Sequence, residues 1–290
     1  MIQDIRKTGN QILYPIFLVA ALAAVVFAHQ AHASTASAAK VMTLALTEEP
    51  PNLNAMKATD QSSFFVLGHT MEGLTRYDQA GHIVAGVAEK WEITETGATF
   101  WLRKNAKWSD CKTVTAKDFV FAWKTALDPA TASEYAFILY PIKGAEAINT
   151  KKADPTTLGA QAVDDYTLKI AFEKPCGYFM GLTSFATYFP VREDVYKKWG
   201  EKFAADADKM LFNGPFVLTK WVHGASLRMD KNPTYWNAKA VDLETIDVPY
   251  ITNDEMARFN FFKDKKIDVL GLNKENLQNA QKEKFKLKRF

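Results

Sequence analysis

Residues 86–129 read GVAEKWEITETGATFWLRKNAKWSDCKTVTAKDFVFAWKTALDP, and the pattern changes once along the way. In the first half Trp91 and Ile93 alternate with polar residues, Glu95-Thr96-Gly97 interrupts, and Phe100 and Leu102 resume the alternation. That is the signature of a β-hairpin. In the second half Phe119, Ala122, Trp123, Ala126 and Leu127 fall at i, i+3, i+4, i+7 and i+8, the spacing of one helix face. Thr115-Ala116-Lys117-Asp118 resembles a capping box with Asp in place of the usual Glu, and Asp128-Pro129 stops the helix. Trp91, Phe100, Leu102 and Trp108 are then the inward face of a small sheet, with helix 116–127 laid against it. Burying each such side chain contributes about 1.5–3 kcal/mol before entropy is counted.

Toward the N-terminus, residues 41–46 alternate as a strand that Pro50 and Pro51 end, and 60–71 reads as a helix with Phe64, Leu67 and Met71 on one face. Residues 74–77 lead into an Asp78-Gln79-Ala80-Gly81 turn. Toward the C-terminus, Asp164-Asp165 is a turn before an alternating strand through Leu168, Ile170 and Phe172. Asn213-Gly214-Pro215 reads as a turn in which Asn and Gly tolerate positive φ. Ile246, Val248 and Tyr250 alternate, Thr252-Asn253-Asp254-Glu255 caps a helix, and 267–270 reads as a short strand. Strand, capped helix and strand in so short a span predict a βαβ crossover with parallel strands. Hairpins mixed with crossovers indicate α/β lobes rather than an all-β sandwich.

Composition removes whole classes of function. With 20 Phe, 7 Trp and 10 Tyr the chain is no disordered coil, and 14 Gly with 11 Pro exclude a collagen-like one. A formal charge of +3 is too small to suggest nucleic acid as partner, and the tail from 274 to 290 carries more than all of it. Arg6 and Lys7 followed by an uncharged apolar run from 12 to 28 and by Ala31-His32-Ala33 predict a signal peptide, residues 1–33, cleaved before Ser34. Export to the periplasm follows, and with it the possibility of a Cys111–Cys176 disulfide. No Walker A loop, G-x-G-x-x-G, G-x-S-x-G or H-E-x-x-H occurs. His69, His82 and His223 lack ligand spacing, and neither cysteine has a local catalytic partner. The expectation is an exported protein that is not an enzyme and carries no cofactor or metal.

The stretch from Gly86 to Pro129, with Pro175-Cys176-Gly177-Tyr178-Phe179, Asn213-Gly214-Pro215-Phe216, Lys231-Asn232-Pro233-Thr234-Tyr235-Trp236 and Lys266-Ile267-Asp268-Val269, closely resembles the oligopeptide- and dipeptide-binding proteins of ABC importers, the extracellular solute-binding proteins of family 5. One departure lies inside the signature: relatives carry Asp-Gly after Trp-Ser, whereas here Cys111 follows Asp110. A non-glycine residue costs roughly 1 kcal/mol or more if the turn needs positive φ there.

The resemblance implies a type II periplasmic-binding-protein-like α/β fold whose cleft closes over an extended peptide, pairing with its backbone like an added strand. It implies a larger lobe from 40–71 and 193–290, with a small lobe, 72–192, inserted between them. It also implies ligand contacts from Thr59, Asp60 and Gln61 beside the peptide strand, and from Tyr135 and Phe185 on the cleft wall. Partners would be peptides and the membrane subunits of an ABC importer, with the protein acting as a monomer. Relatives run to about twice this length; their other half supplies a second large lobe, missing here, and the acidic residue that meets the peptide's N-terminal amine. The expectation is therefore a truncated binding protein with impaired binding, its larger lobe exposing apolar surface around residues 246–270. The alternatives are a fragment repurposed as an accessory interaction protein, or a binder of another solute such as a nickel chelate or haem.

Overall fold

The computed structural model describes residues 40–283 and 285. The leader read over residues 1–33 lies outside the described residues. Among the described residues, no helix is long and apolar enough to cross a membrane.

Two four-stranded sheets organise the chain. The first takes its strands from both ends of the described sequence: β1 (Val41–Leu46), then β8 (Phe216–Val222), β9 (Ser226–Lys231) and β10 (Thr245–Ile251), in the order β1-β10-β9-β8. β1 runs parallel to β10, with Val41 opposite Thr245, while β10, β9 and β8 are antiparallel. The second sheet is wholly antiparallel and comes from the middle of the chain: β4 (Ala88–Ile93), β5 (Gly97–Leu102), β7 (Thr167–Ala171) and β6 (Ala160–Ala162), in that order. A separate hairpin, β2 (Thr75–Tyr77) with β3 (Ile83–Ala85), sits between them in sequence.

The quoted stretch folds as its pattern requires. β4 and β5 form the hairpin, and α2 (Ala116–Leu127) follows, with Phe119, Ala122, Trp123, Ala126 and Leu127 all fully buried. Phe100, Leu102 and Trp108 are buried, and Trp91 is partly buried against the same core. Asp118 does more than cap. One of its carboxylate oxygens accepts from the Thr115 backbone N–H at 2.8 Å and from Trp108 Nε1 at 3.1 Å. Burial pushes its carboxyl up from the usual range, and these hydrogen bonds with nearby Arg192 oppose the rise. The first helix, α1 (Gln61–Thr70), begins at Asp60, whose Oδ1 accepts from Ser63 N at 2.8 Å.

Three expectations change. Gly214 is required by proximity rather than by positive φ: a Cβ there would lie 2.6 Å from the backbone N of Met71 and the backbone C of Thr70. Asn213 seals the same junction, its Nδ2 donating to Glu72 O at 2.9 Å and its Oδ1 accepting from Glu72 N at 3.1 Å. Residues 267–270 form no strand after α3 (Glu255–Lys263). Instead Asp268 clips the outer edge of β1: its N–H donates to Thr43 O at 2.7 Å and its Oδ2 accepts from Thr43 N at 2.7 Å. One residue thus satisfies both backbone groups that a ladder would have used. The exposed apolar surface expected around residues 246–270 changes only in part: Ile246 and Val248 of β10 are buried, while Met256 and Val269 are exposed, as are Val41 and Leu272 outside that span. A further helix, α4 (Lys274–Lys282), lies beyond the expected elements.

Both cysteines are free thiols, Cys111 exposed and Cys176 buried, so the bridge the sequence permits is not formed. Cys111 adopts φ 69°, the left-handed region the glycine of relatives would favour. Its N–H donates to Trp108 O at 2.9 Å, so the turn keeps its shape at the cost of a strained residue. Cys111→Gly is expected to stabilise the protein by about 1 kcal/mol. A urea denaturation showing no gain would mean the Cys111 backbone is not strained.

Candidate functional site

Five residues were expected at a ligand-binding wall, and three lie on one run of backbone. Residues 52–60 lead from the end of β1 to α1 and are pinned at intervals. Leu53 N donates to Ala204 O at 3.2 Å, Ser63 Oγ donates to Asn52 O at 2.7 Å, and Met56 N donates to Asn54 Oδ1 at 3.1 Å. This places Thr59 and Asp60, both half-buried, and exposed Gln61 at the N-terminus of α1. Neither Thr59 nor Gln61 makes a side-chain hydrogen bond with any described residue. Asp60 spends Oδ1 on its cap, while Oδ2 is out of water without a partner.

The other two expected residues meet each other and a third ring. Phe64, one turn into α1, lies 6.3 Å from Tyr135 with the ring planes 17° apart, and 5.2 Å from Phe185. Tyr135 and Phe185 are themselves 5.9 Å apart, and Phe137 stands edge-on to Tyr135 at 5.9 Å. Such spacings are the ordinary range for attractive ring pairs. In the sequence Phe64 shares its period with Leu67 and Met71, the pattern of a single helix face. Phe137 carried no periodic signal at all, since it sits in a single 3-10 turn, Ala136–Leu139.

Beneath the rings a buried tyrosine locks the two loops together. Tyr188 Oη donates to Ile138 O at 3.1 Å, and Tyr188 O accepts from Trp123 Nε1 at 3.1 Å. Burial pushes the Tyr188 phenol well above its ordinary value, so it remains a neutral donor. The segments holding Tyr135 and Phe185 are therefore tied to each other and to α2. A groove of about 820 Å³ runs nearby along Asn52, Lys57, Phe121, Lys124 and Tyr196, but none of the five expected residues lines it.

The loop leading into residues 52–60 is fastened by a histidine. His223, in the β8–β9 turn, has Nδ1 2.6 Å from Glu49 Oε1 and Nε2 3.0 Å from Asp206 Oδ1. Glu49 also accepts from Trp221 Nε1 at 2.9 Å and from Gly224 N at 2.6 Å, and Asp206 pairs with Lys209. The bonds to Asp206 and then Glu49 raise the His223 pKa, opposed by a little desolvation. A raised folded value means the clasp is fully present below the unfolded value near 6.5 and is lost as pH rises through the folded one. Wild type should therefore exceed His223→Gln in urea midpoint at about pH 5.5, and the two should converge at about pH 8.5. A gap unchanged across that range would show that the imidazolium does not hold the loop.

With this geometry in view, the relatives decide the family. Residues 82–289 match the model of the bacterial extracellular solute-binding proteins, family 5 Middle. The chain belongs to that family. Its members are binding proteins rather than enzymes. The oligopeptide-binding protein OppA of Bacillus subtilis is 42% identical over 216 residues, which cover 73% of this chain and 39% of that protein. Among solved structures, the substrate-binding domain of an oligopeptide ABC transporter from Bacillus anthracis superposes with a TM-score of 0.81 at 40% identity, covering 84% of this chain and 48% of that one. Listeria monocytogenes OppA bound to peptide superposes equally well, at 35% identity and with 49% of its length covered. The fold is that of OppA-type, type II periplasmic binding proteins. The chain spans about half the length of these relatives.

Proposed function

We propose that this chain supplies one wall of a peptide-binding cleft in an ABC-importer binding protein, exported by a leader cleaved before Ser34 and working as a monomer in the periplasm. The observation that carries this reading is the convergence of Tyr135 and Phe185 on Phe64, one turn beyond Asp60 and Gln61. The start of α1 offers backbone donors to an extended peptide, and the rings offer a surface for its side chains. In this reading residues 40–71 and 193–290 belong to a larger lobe and 72–192 to a small inserted lobe. The membrane subunits of an importer receive the loaded protein, and nucleic acid plays no part.

An opposite wall adds enclosure and a charged partner for the peptide's terminal amine. Hydrogen bonds to charged groups contribute about 1.5–3 kcal/mol each, so one wall alone binds weakly. Isothermal titration of the purified chain with a mixed pool of tri- to pentapeptides is expected to give saturable binding weaker than about 100 μM. Micromolar or tighter binding by a monomer would contradict the assignment of a single wall. No binding at millimolar peptide would contradict the wall itself.

A further inference from the structure

The four rings form a partly exposed apolar shelf, and the polar atoms around it show what kind of group would cover it. Phe137 is 56% exposed, and Phe64, Tyr135 and Phe185 are each half-buried, so the cluster keeps one face toward solvent. Phe64 is packed against the hydrophobic core on its other side, which fixes the shelf in place. Two polar atoms on the flanking segments, Asp60 Oδ2 four residues before Phe64 and Ser133 Oγ two residues before Tyr135, are out of water without a hydrogen-bond partner. An acceptor and a hydroxyl in that condition need an explanation, and polar groups brought by a ligand supply one. The ring faces left toward solvent call for a flat apolar side chain that stacks or meets them edge-on.

Resting on the reading of this face as the ligand wall, we propose that the shelf of Phe64, Tyr135, Phe137 and Phe185 is a specificity pocket that selects peptides carrying an aromatic side chain. The ligand's backbone lies along the start of α1, within reach of Asp60, and its aromatic residue lies on the shelf. Phe64 and Phe137 are the determining residues: the first presents its ring to both Tyr135 and Phe185, and the second supplies the most exposed edge.

Saturation-transfer NMR titrations of the purified chain with Ala-Phe-Ala, Ala-Leu-Ala and Ala-Ser-Ala test this. Ala-Phe-Ala is expected to bind about fivefold tighter than Ala-Ser-Ala, with the strongest transfer to its ring protons. Phe137→Ala removes a ring that is mostly outside the core, and it is expected to reduce that ratio to under about twofold. A ratio that Phe137→Ala leaves unmoved overturns the shelf. Ala-Leu-Ala binding as tightly as Ala-Phe-Ala overturns ring recognition in favour of plain apolar burial. Equal affinity for all three overturns the selectivity while leaving the peptide wall standing, and no transfer to any of them overturns both.

Discussion

Replacing Trp123 by alanine is expected to lower the unfolding free energy by about 4 kcal/mol. The indole is fully buried on α2, meets Phe119 edge-on at 6.1 Å and Tyr188 at 5.3 Å, and donates to Tyr188 O. Alanine leaves a cavity where an indole stood and also leaves the Tyr188 carbonyl short of a donor. Trp123→Phe keeps most of the apolar volume and loses the hydrogen bond, so its cost should be about 1–2 kcal/mol. The effect reaches the candidate site because Tyr188 Oη holds Ile138 O, and with it the turn that follows Tyr135. Urea unfolding measures the stability, and the ring-proton shifts of Tyr135 report the loosening. A Trp123→Ala loss under about 1 kcal/mol would mean the core around Tyr188 collapses without cost.

Glu72→Ala should cost about 3 kcal/mol at neutral pH, for a different reason. Glu72 is 4% exposed; its Oε1 accepts from Tyr235 Oη at 2.5 Å and its Oε2 from Trp236 Nε1 at 2.6 Å, with Arg76 Nε 3.7 Å away. Trp236 also lies under the Arg103 guanidinium, 3.7 Å from its ring centre. Removing the carboxylate strands the buried Tyr235 hydroxyl and the half-buried Trp236 N–H, and leaves Arg76 without its counter-charge. Glu72→Gln keeps one acceptor and should cost about half as much. Burial raises the Glu72 pKa, and the bonds from Tyr235 and Trp236 with nearby Arg76 and Arg103 oppose the rise. The sign follows: stability from this group is full below the unfolded value and declines as pH rises through the higher folded one. The wild type's advantage over Glu72→Gln should therefore shrink on going from acid toward neutral. Fluorescence-monitored urea unfolding across that range checks both statements. An advantage that grows with pH would show the carboxyl is held ionised instead.

The parts of the fold that could be read in the sequence are those set by local pattern. The β4–β5 hairpin, α2 with its Asp118 cap, and β7 follow from side-chain period and from turn chemistry within a few residues. What was misread depends on distant neighbours. Gly214 is fixed by the backbone at Thr70 and Met71, and no local pattern announces that approach. Residues 267–270 carry a strand-like pattern, yet a single aspartate, through its backbone N–H and its side chain together, takes the place of a ladder against β1.

The site was still less legible. Thr59, Asp60, Gln61, Tyr135 and Phe185 came from resemblance alone, because a surface that receives a ligand has no period of its own. Phe64 was hidden by sharing its helix with true core residues. Phe137 had no signal except an exposed aromatic in a turn.

Hydrogen–deuterium exchange of the purified chain, with and without a saturating tri- to pentapeptide pool, tests most directly that the ring-lined face at the start of α1 is a peptide-binding wall. Slowed exchange confined to segments 58–66, 133–139 and 183–189 is the predicted result. Slowing along the groove beside Asn52, Lys124 and Tyr196, with none at those three segments, would contradict it.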